Sequence, residues 1–504
     1  MIDLYIKYLP ELLIMTIILP IVFGCFNVLT KNNLTSYLIT LVSTMISFAI
    51  SLLNFTLRIT DIASNNFYLV GNWPSLVGIE LRMNQFNSAF LLMATFTAFT
   101  VTIYGKRIVE SEIIKQKLAN FYGCFLICCG GIAGILLTND LFNLYVFIEV
   151  FSLSTYALLA MSNNNKSLKY AYDYLIIGTL AATFILLGIA FLYSATGTVN
   201  MNAVSMQLKT SLNLDNIKLG ISFFIIGSLV KSALFPFHFW MVNAYNHASS
   251  FIVSFFAAIS AKIGIYILLC FIYVIVGVAD QSNDAKHILA LLRLLLGALS
   301  VIAMISGSIL AVYQRNLRTM LLYSSVSQIG FILLTLSIGT YQTFSIAMIL
   351  MINHMMATLG LFMICGYINF YYQTLKYNNL NAVAKEMPLT IIAFIINAAC
   401  IIGLPPTLGF WGKFALIAII LQNNFWLILL AILVTSLLSI VCYWRFIENF
   451  YFVKNKDITT QSCQNIFFAQ GAIWAITLLS IYFALHYEQY HIVLTNIAKV
   501  IWIN

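Results

Sequence analysis

One cation sits in the middle of an apolar run: Lys231, within Gly227-Ser-Leu-Val-Lys-Ser-Ala-Leu-Phe-Pro-Phe-His-Phe-Trp240, with the helix breaker Pro236 five residues later. Of the sixteen aspartates and glutamates, one lies well inside a comparable run: Glu149, in Asn139-Asp-Leu-Phe-Asn-Leu-Tyr-Val-Phe-Ile-Glu-Val. Lys262, Lys413 and His354 complete the inventory of ionisable groups at such depth. These residue types point to proton transfer. In a medium of low dielectric a lysine loses affinity for its proton and a glutamate gains it. Side by side the two hold opposite charges; moved apart, the lysine releases a proton. A glutamate–lysine pair of variable separation is therefore a switchable proton site. Lys262, His354 and Lys413 would supply further stations for water to bridge.

Each group also has a structural reading. A charge pair can simply fix helix packing, and a histidine can hydrogen-bond between helices. The cost of charge in a bilayer favours function for Glu149, Lys231, Lys262 and Lys413; for His354 both readings stand. His238 and His247, near the end of the same broken run and in the loop after it, are weaker candidates, gating an access path or doing nothing. The polar run Tyr323-Ser-Ser-Val-Ser-Gln-Ile-Gly330 either holds water between stations or joins helices. Cys124, Cys128 and Cys129 lack the spacing of a zinc or iron–sulfur site and read as small packing residues.

The elements that position these groups follow from composition. The chain is 504 residues long, 62% hydrophobic and only 8% charged, against roughly 25% charged in an ordinary soluble domain. Apolar stretches of spanning length recur throughout, so the chain is expected to be an all-α polytopic membrane protein. Fourteen spans are expected: 8–30, 34–57, 85–105, 118–138, 141–162, 170–195, 217–240, 250–278, 288–313, 317–339, 342–372, 389–422, 425–447 and 466–486. The start, Met1 to Glu11, carries acids and no small-residue cleavage site, so no removable signal peptide is expected. An even number of spans puts both termini on one side. Fourteen lysines and arginines fall in loops after odd-numbered spans and seven, Arg58 among them, in the opposite loops and termini. The positive-inside rule then turns both termini away from the cytoplasm, and loop bias rather than nucleic-acid binding accounts for the net charge of +9.

No linker divides residues 1–504, which read as one transmembrane domain. Within it, span seven is interrupted around Pro236 and span twelve at Gly403-Leu-Pro-Pro-Thr-Leu-Gly-Phe-Trp-Gly-Lys413. Interrupted segments at matching places in two halves are a pointer to an ion site in a transporter. The two units expected are 118–278 and 288–447. No phosphate- or dinucleotide-binding loop and no cysteine ligand set is found, so neither a cofactor nor a metal is expected.

Four motifs now carry a family resemblance: the Asn139–Val150 segment, Lys231–Trp240, Gln314-Arg-Asn-Leu-Arg-Thr-Met-Leu-Leu-Tyr-Ser-Ser-Val-Ser-Gln-Ile-Gly330, and Gly403–Lys413. In this order, over nearly the whole chain, they resemble the antiporter-like subunits shared by respiratory complex I and Mrp-type multisubunit cation/proton antiporters. Asp140–Glu149, Tyr193-Ser-Ala-Thr-Gly-Thr-Val-Asn-Met201 and Asn243-Ala-Tyr245 are most similar to the D-type subunit of Mrp antiporters. The resemblance implies fourteen helices, two inverted five-helix repeats, and broken seventh and twelfth helices. It implies a bacterial inner-membrane location and partnership with other membrane subunits. It further implies Glu149 and Lys231 as a coupled ion pair, Lys262 as central relay and Lys413 as the proton site of the second half. Two activities follow: exchange of sodium or another monovalent cation for protons, or proton pumping within an NADH–quinone oxidoreductase whose redox chemistry belongs to partner chains. The chain departs from the family after Trp240, where prolines are usual and Met-Val-Asn-Ala-Tyr-Asn-His stands instead. It departs again at Thr358, four residues after His354, where many members carry a lysine.

Overall fold

In hydrocarbon each backbone N–H and C=O must be satisfied within the protein, which leaves the helix as the element for an apolar run. The computed structural model describes residues 2–30, 32–59, 66–75, 77–208, 214–272, 283–380, 383–452 and 467–503. Spans one to six are α1 (Ile2–Leu29), α2 (Asn33–Ile59), α3 (Gln85–Glu112), α4 (Leu118–Leu137), α5 (Leu141–Ala160) and α6 (Ser167–Thr196). A short helix, α7 (Met201–Leu208), precedes the broken seventh span, which is α8 (Leu214–Lys231) followed by α9 (Phe239–His247). Spans eight to eleven are α10 (Ser250–Leu269), α11 (Asn283–Tyr313), α12 (Leu317–Ile338) and α13 (Tyr341–Tyr372). After one turn, α14 (Val383–Glu386), the broken twelfth span is α15 (Pro388–Ile402) with α16 (Leu408–Gln422), and α17 (Trp426–Phe452) and α18 (Phe467–Leu485) follow.

Twelve helices among the described residues are long and apolar enough to cross a membrane; the two broken pairs bring the crossings to the fourteen expected. Each break falls in the fourth span of its five-span unit. Three features were not anticipated. The polar interruption near 59–83 holds an antiparallel hairpin, β1 (Asn66–Leu69) with β2 (Glu80–Met83), pairing Asn66 with Met83 and Leu69 with Glu80. An additional helix, α19 (Tyr487–Ile503), packs back on α13. Arg58, counted from the sequence as a loop cation, is instead 2% exposed in the last turn of α2, donating from Nη1 to the Met83 carbonyl at 2.8 Å. A guanidinium can be taken out of water where a strand end offers it a carbonyl. Lys31, Lys209, Lys454, Lys456 and the end of span eight beyond Ile272 lie outside the described residues.

α10 and α13 form the centre. Every residue of α10 is buried, and α13 packs against α10, α12, α15 and α16. Each carries one of the sequence-selected groups, Lys262 and His354.

Candidate proton-transfer site

α8 ends at Lys231 because the next residues cannot continue it. Ala233 adopts φ +54°, and the Phe235–Pro236 peptide is cis. The carbonyls freed at the break find other donors: Val230 O accepts from Ala233 N at 3.1 Å and from Trp240 Nε1 at 3.1 Å. Lys231 thus sits at a helix C-terminus, where the partial negative charge of the last carbonyls favours a cation. It is 6% exposed, and its Nζ donates to Ser152 Oγ at 2.6 Å. Ser152 stands three residues after Glu149 on α5, hence on the same face one turn away. The half-buried Glu149 lies within electrostatic reach of the ammonium. So the structure brings the two predicted partners into electrostatic range of each other, with the ammonium hydrogen-bonded to Ser152. Ser152 was not singled out from sequence. Its i+3 spacing from the only deep acid is the signal that could have found it.

Lys262 is fully buried on α10, donating to the Ala257 carbonyl at 3.1 Å. His354, on α13, is 1% exposed, lies within electrostatic reach of Lys262, and has no hydrogen-bond partner for either ring nitrogen among the described residues. α10 can approach the break because position 264 is glycine: a Cβ there would lie 2.6 Å from Ser232 N and 2.8 Å from the Lys231 carbonyl carbon. Those are backbone atoms, which cannot move aside cheaply. Gly264→Ala is expected to push α10 off the break at a cost of about 1–3 kcal/mol and to lower transport with the complex still assembled. Gly297→Ala, where the nearest atom is the Ser337 hydroxyl at 3.1 Å, is the tolerated control. Transport and complex yield are read side by side.

In the second half the lysine comes from the far side of the break. Lys413, on α16, is 5% exposed and donates to the carbonyls of Ile401 at 3.0 Å and Ile402 at 2.9 Å, the C-terminus of α15. The Phe331 ring lies 4.6 Å from its Nζ, within cation–π range. Asn353, next to His354, donates to the Cys400 carbonyl at 3.0 Å, so α13 touches this break through one residue while the next faces Lys262. Thr358 gives its hydroxyl to the His354 carbonyl at 2.5 Å and supplies no titratable group at this position.

The hydroxyls of span ten divide as interhelical glue in part: Ser324 shares a hydrogen bond with Tyr443 at 3.0 Å and Ser327 donates to the Met304 carbonyl at 3.1 Å. His238 is fully buried beside the break, with no hydrogen-bond partner for either ring nitrogen among the described residues, whereas His247 stacks on Tyr170 at 4.5 Å.

Glu112, the last residue of α3, anchors the central helix. Its carboxylate accepts from Ser250 N at 2.5 Å, Ser250 Oγ at 2.6 Å and Asn369 Nδ2 at 3.2 Å. Buried Arg318 donates to the same serine hydroxyl at 2.7 Å and to the Ala248 carbonyl at 3.0 Å. Glu112, Arg318 and Asn369 line a polar cavity of about 880 Å³ together with Asn246 and His247. Ser250 and Asn369 are 138 and 257 positions from Glu112, and no local pattern marks them. Glu112→Ala is expected to lower the stability of the assembled complex by about 2–3 kcal/mol, since buried donors lose a charged acceptor; thermal unfolding in detergent measures it.

The sequence model of a family described as NADH:quinone oxidoreductase/Mrp antiporter, transmembrane, matches residues 138–439. NADH-quinone oxidoreductase subunit N of Desulforudis audaxviator is 35% identical over 384 residues, 76% of this chain and 75% of that protein. An antiporter subunit of Staphylococcus aureus, mnhD2, is 29% identical over 454 residues, 89% of this chain and 87% of its own length. A chain in the structure of the Mrp complex from Dietzia sp. superposes with a TM-score of 0.86 over 97% of both chains, at 20% identity.

Proposed function

Because the chain belongs to the NADH:quinone oxidoreductase/Mrp antiporter family of transmembrane proteins, we propose that it is the proton-conducting subunit of a multisubunit antiporter exchanging sodium or another monovalent cation for protons. The observation that carries this reading is the placement of Lys231: a buried ammonium at a helix break, bonded to Ser152 one turn from Glu149. In this reading the ammonium moves between two seats, the Ser152 hydroxyl to which it is bonded and the Glu149 carboxylate. On the carboxylate it is held charged; on the hydroxyl alone it is poised to give up its proton. Lys262 and His354 receive the proton at the centre of the molecule. Lys413, on the carbonyls of α15, forms the station of the second half. The units 118–278 and 288–447 each contribute one broken helix to this path, the first supplying Lys231 and Lys262 and the second Lys413. The chain itself performs no redox step and works beside other membrane subunits. The bias of loop lysines and arginines supports termini facing away from the cytoplasm.

A second reading is favoured by the 35% identity to an NADH-quinone oxidoreductase subunit: the same stations would then be driven by redox chemistry in partner chains. Everted vesicles containing the whole complex separate the two. Collapse of an imposed pH gradient on adding sodium supports the antiporter. Indifference to sodium, with proton uptake driven by NADH oxidation, overturns it in favour of the respiratory complex.

A further inference from the structure

α2 is amphipathic in reverse. Its lipid-facing side carries Leu34, Leu38, Val42, Met45, Leu52 and Leu53, all exposed, whereas its buried residues are all polar: Ser36, Thr40, Ser43, Thr44, Ser47, Ser51, Asn54 and Arg58. From Ser36 to Arg58 this face rises about 33 Å along the helix, enough to cross the roughly 30 Å of hydrocarbon. None of these residues belongs to the path described above.

Both ends of the polar face are held by protein. Toward one end the Thr30 and Ser36 hydroxyls share a hydrogen bond at 2.5 Å, and Asn27 Nδ2 donates to Thr40 Oγ1 at 3.0 Å. Toward the other, Ser51 and Thr95 share one at 2.6 Å, and Arg58 reaches the Met83 carbonyl. The middle is not held. Ser43 and Ser47, 0% and 6% exposed, have no hydrogen-bond partner for their hydroxyls among the described residues. Both line a cavity of about 20 Å³ enclosed by α1, α2, α3, α4 and α10. Thr16 and Pro20 of α1 line it too. Proline has no N–H to give the carbonyl four residues earlier, so the Thr16 carbonyl loses its partner within the helix at this spot. Two partnerless hydroxyls therefore line, with Thr16, a space large enough for one water, which needs about 10–15 Å³ and usually makes about three hydrogen bonds.

We propose that this cavity is a built hydration site: a water held by Ser43, Ser47 and the Thr16 carbonyl, joining the two ends of the α2 polar face into one hydrogen-bonded seam across the membrane. The occupant is neutral. No carboxylate lines the cavity, and the guanidinium of Arg58 at one end of the seam opposes entry of a cation or a hydronium ion. The seam binds water without conducting charge, in contrast to the lysine path.

The test is X-ray hydroxyl-radical footprinting of the assembled complex in nanodiscs, in which water bound beside a side chain generates the radical that labels it. Leu126 and Phe255 line the cavity and are fully buried. In wild type both are expected to label despite their burial, and in Ser43→Val with Ser47→Val that labelling is expected to be lost while exchange activity is retained. Absence of label on Leu126 and Phe255 in wild type overturns the proposal, as does label that persists in the double variant. Should the valines prevent assembly, Ser43→Ala with Ser47→Ala serves the same comparison, and the wild-type result stands by itself. Electron cryo-microscopy of the wild-type complex gives an independent reading: density within hydrogen-bond distance of both hydroxyls supports the site, and hydroxyls turned onto their own helix carbonyls around a dry cavity refute it.

Discussion

Vesicles carrying Lys231→Ala are expected to hold the assembled complex yet lose sodium-dependent collapse of the pH gradient by a factor of about 10² or more, the usual scale for removal of a proton-transfer group. The alanine leaves the Ser152 hydroxyl and the Glu149 carboxylate in place and removes the ammonium bonded to Ser152, the group proposed to move between them. The sharper comparison is Lys231→Arg. Arginine keeps the positive charge and the length of the side chain, so a merely structural ion pair would survive it. Its guanidinium is not deprotonated in proteins, so a proton station would not. Assembly with loss of transport in both variants supports titration at position 231; transport retained in Lys231→Arg sinks it. Ser152→Ala adds a graded outcome. Losing a hydrogen bond to a charged group removes about 1.5–3 kcal/mol from one of the two seats, which biases the ammonium toward Glu149 and slows transport roughly 10- to 100-fold.

The second large effect is expected at Lys413. Its ammonium is bound by the Ile401 and Ile402 carbonyls at the end of α15 and by the Phe331 face. Lys413→Met replaces it with an apolar chain of similar reach. Two carbonyls lose a donor, at about 1–3 kcal/mol each, while the cost of burying a charge is relieved, a gain of several kcal/mol. The terms offset, so thermal stability is expected to change little. Transport is expected to vanish, because the second half loses its titratable group. Lost transport at unchanged stability separates a functional lysine from a structural one; lost stability with unchanged transport would make Lys413 a cap for α15 and no more.

Much of this was legible from the chain. Fourteen spans followed from run lengths, since hydrocarbon thickness sets a minimum that few other segments meet. The two breaks followed from proline and glycine, which cannot continue a helix. The deep ionisable groups stood out because so few charges occur at all in this composition. Other features were not legible. The hairpin at Asn66–Met83 and the helix α19 lie where hydropathy gives no strong signal. Arg58 was misread because a cation near a span end looks the same whether it meets water or a buried carbonyl.

The division has a physical cause. The sequence by itself determined the class of protein, the number of crossings, the sites of the two breaks and the five ionisable groups set deep in apolar runs, because each depends on residue type and local spacing. Lys262 meets a carbonyl of its own helix, but the partners met across the fold were decided by tertiary structure. Lys231 finds Ser152 across 79 residues, Glu112 anchors the helix of Lys262 across 138, and the polar face of α2 acquires its meaning from Pro20 and Thr95 on other helices. Apolar packing in a membrane sets helices side by side through small residues and close fit, and neither property names a partner in the linear chain.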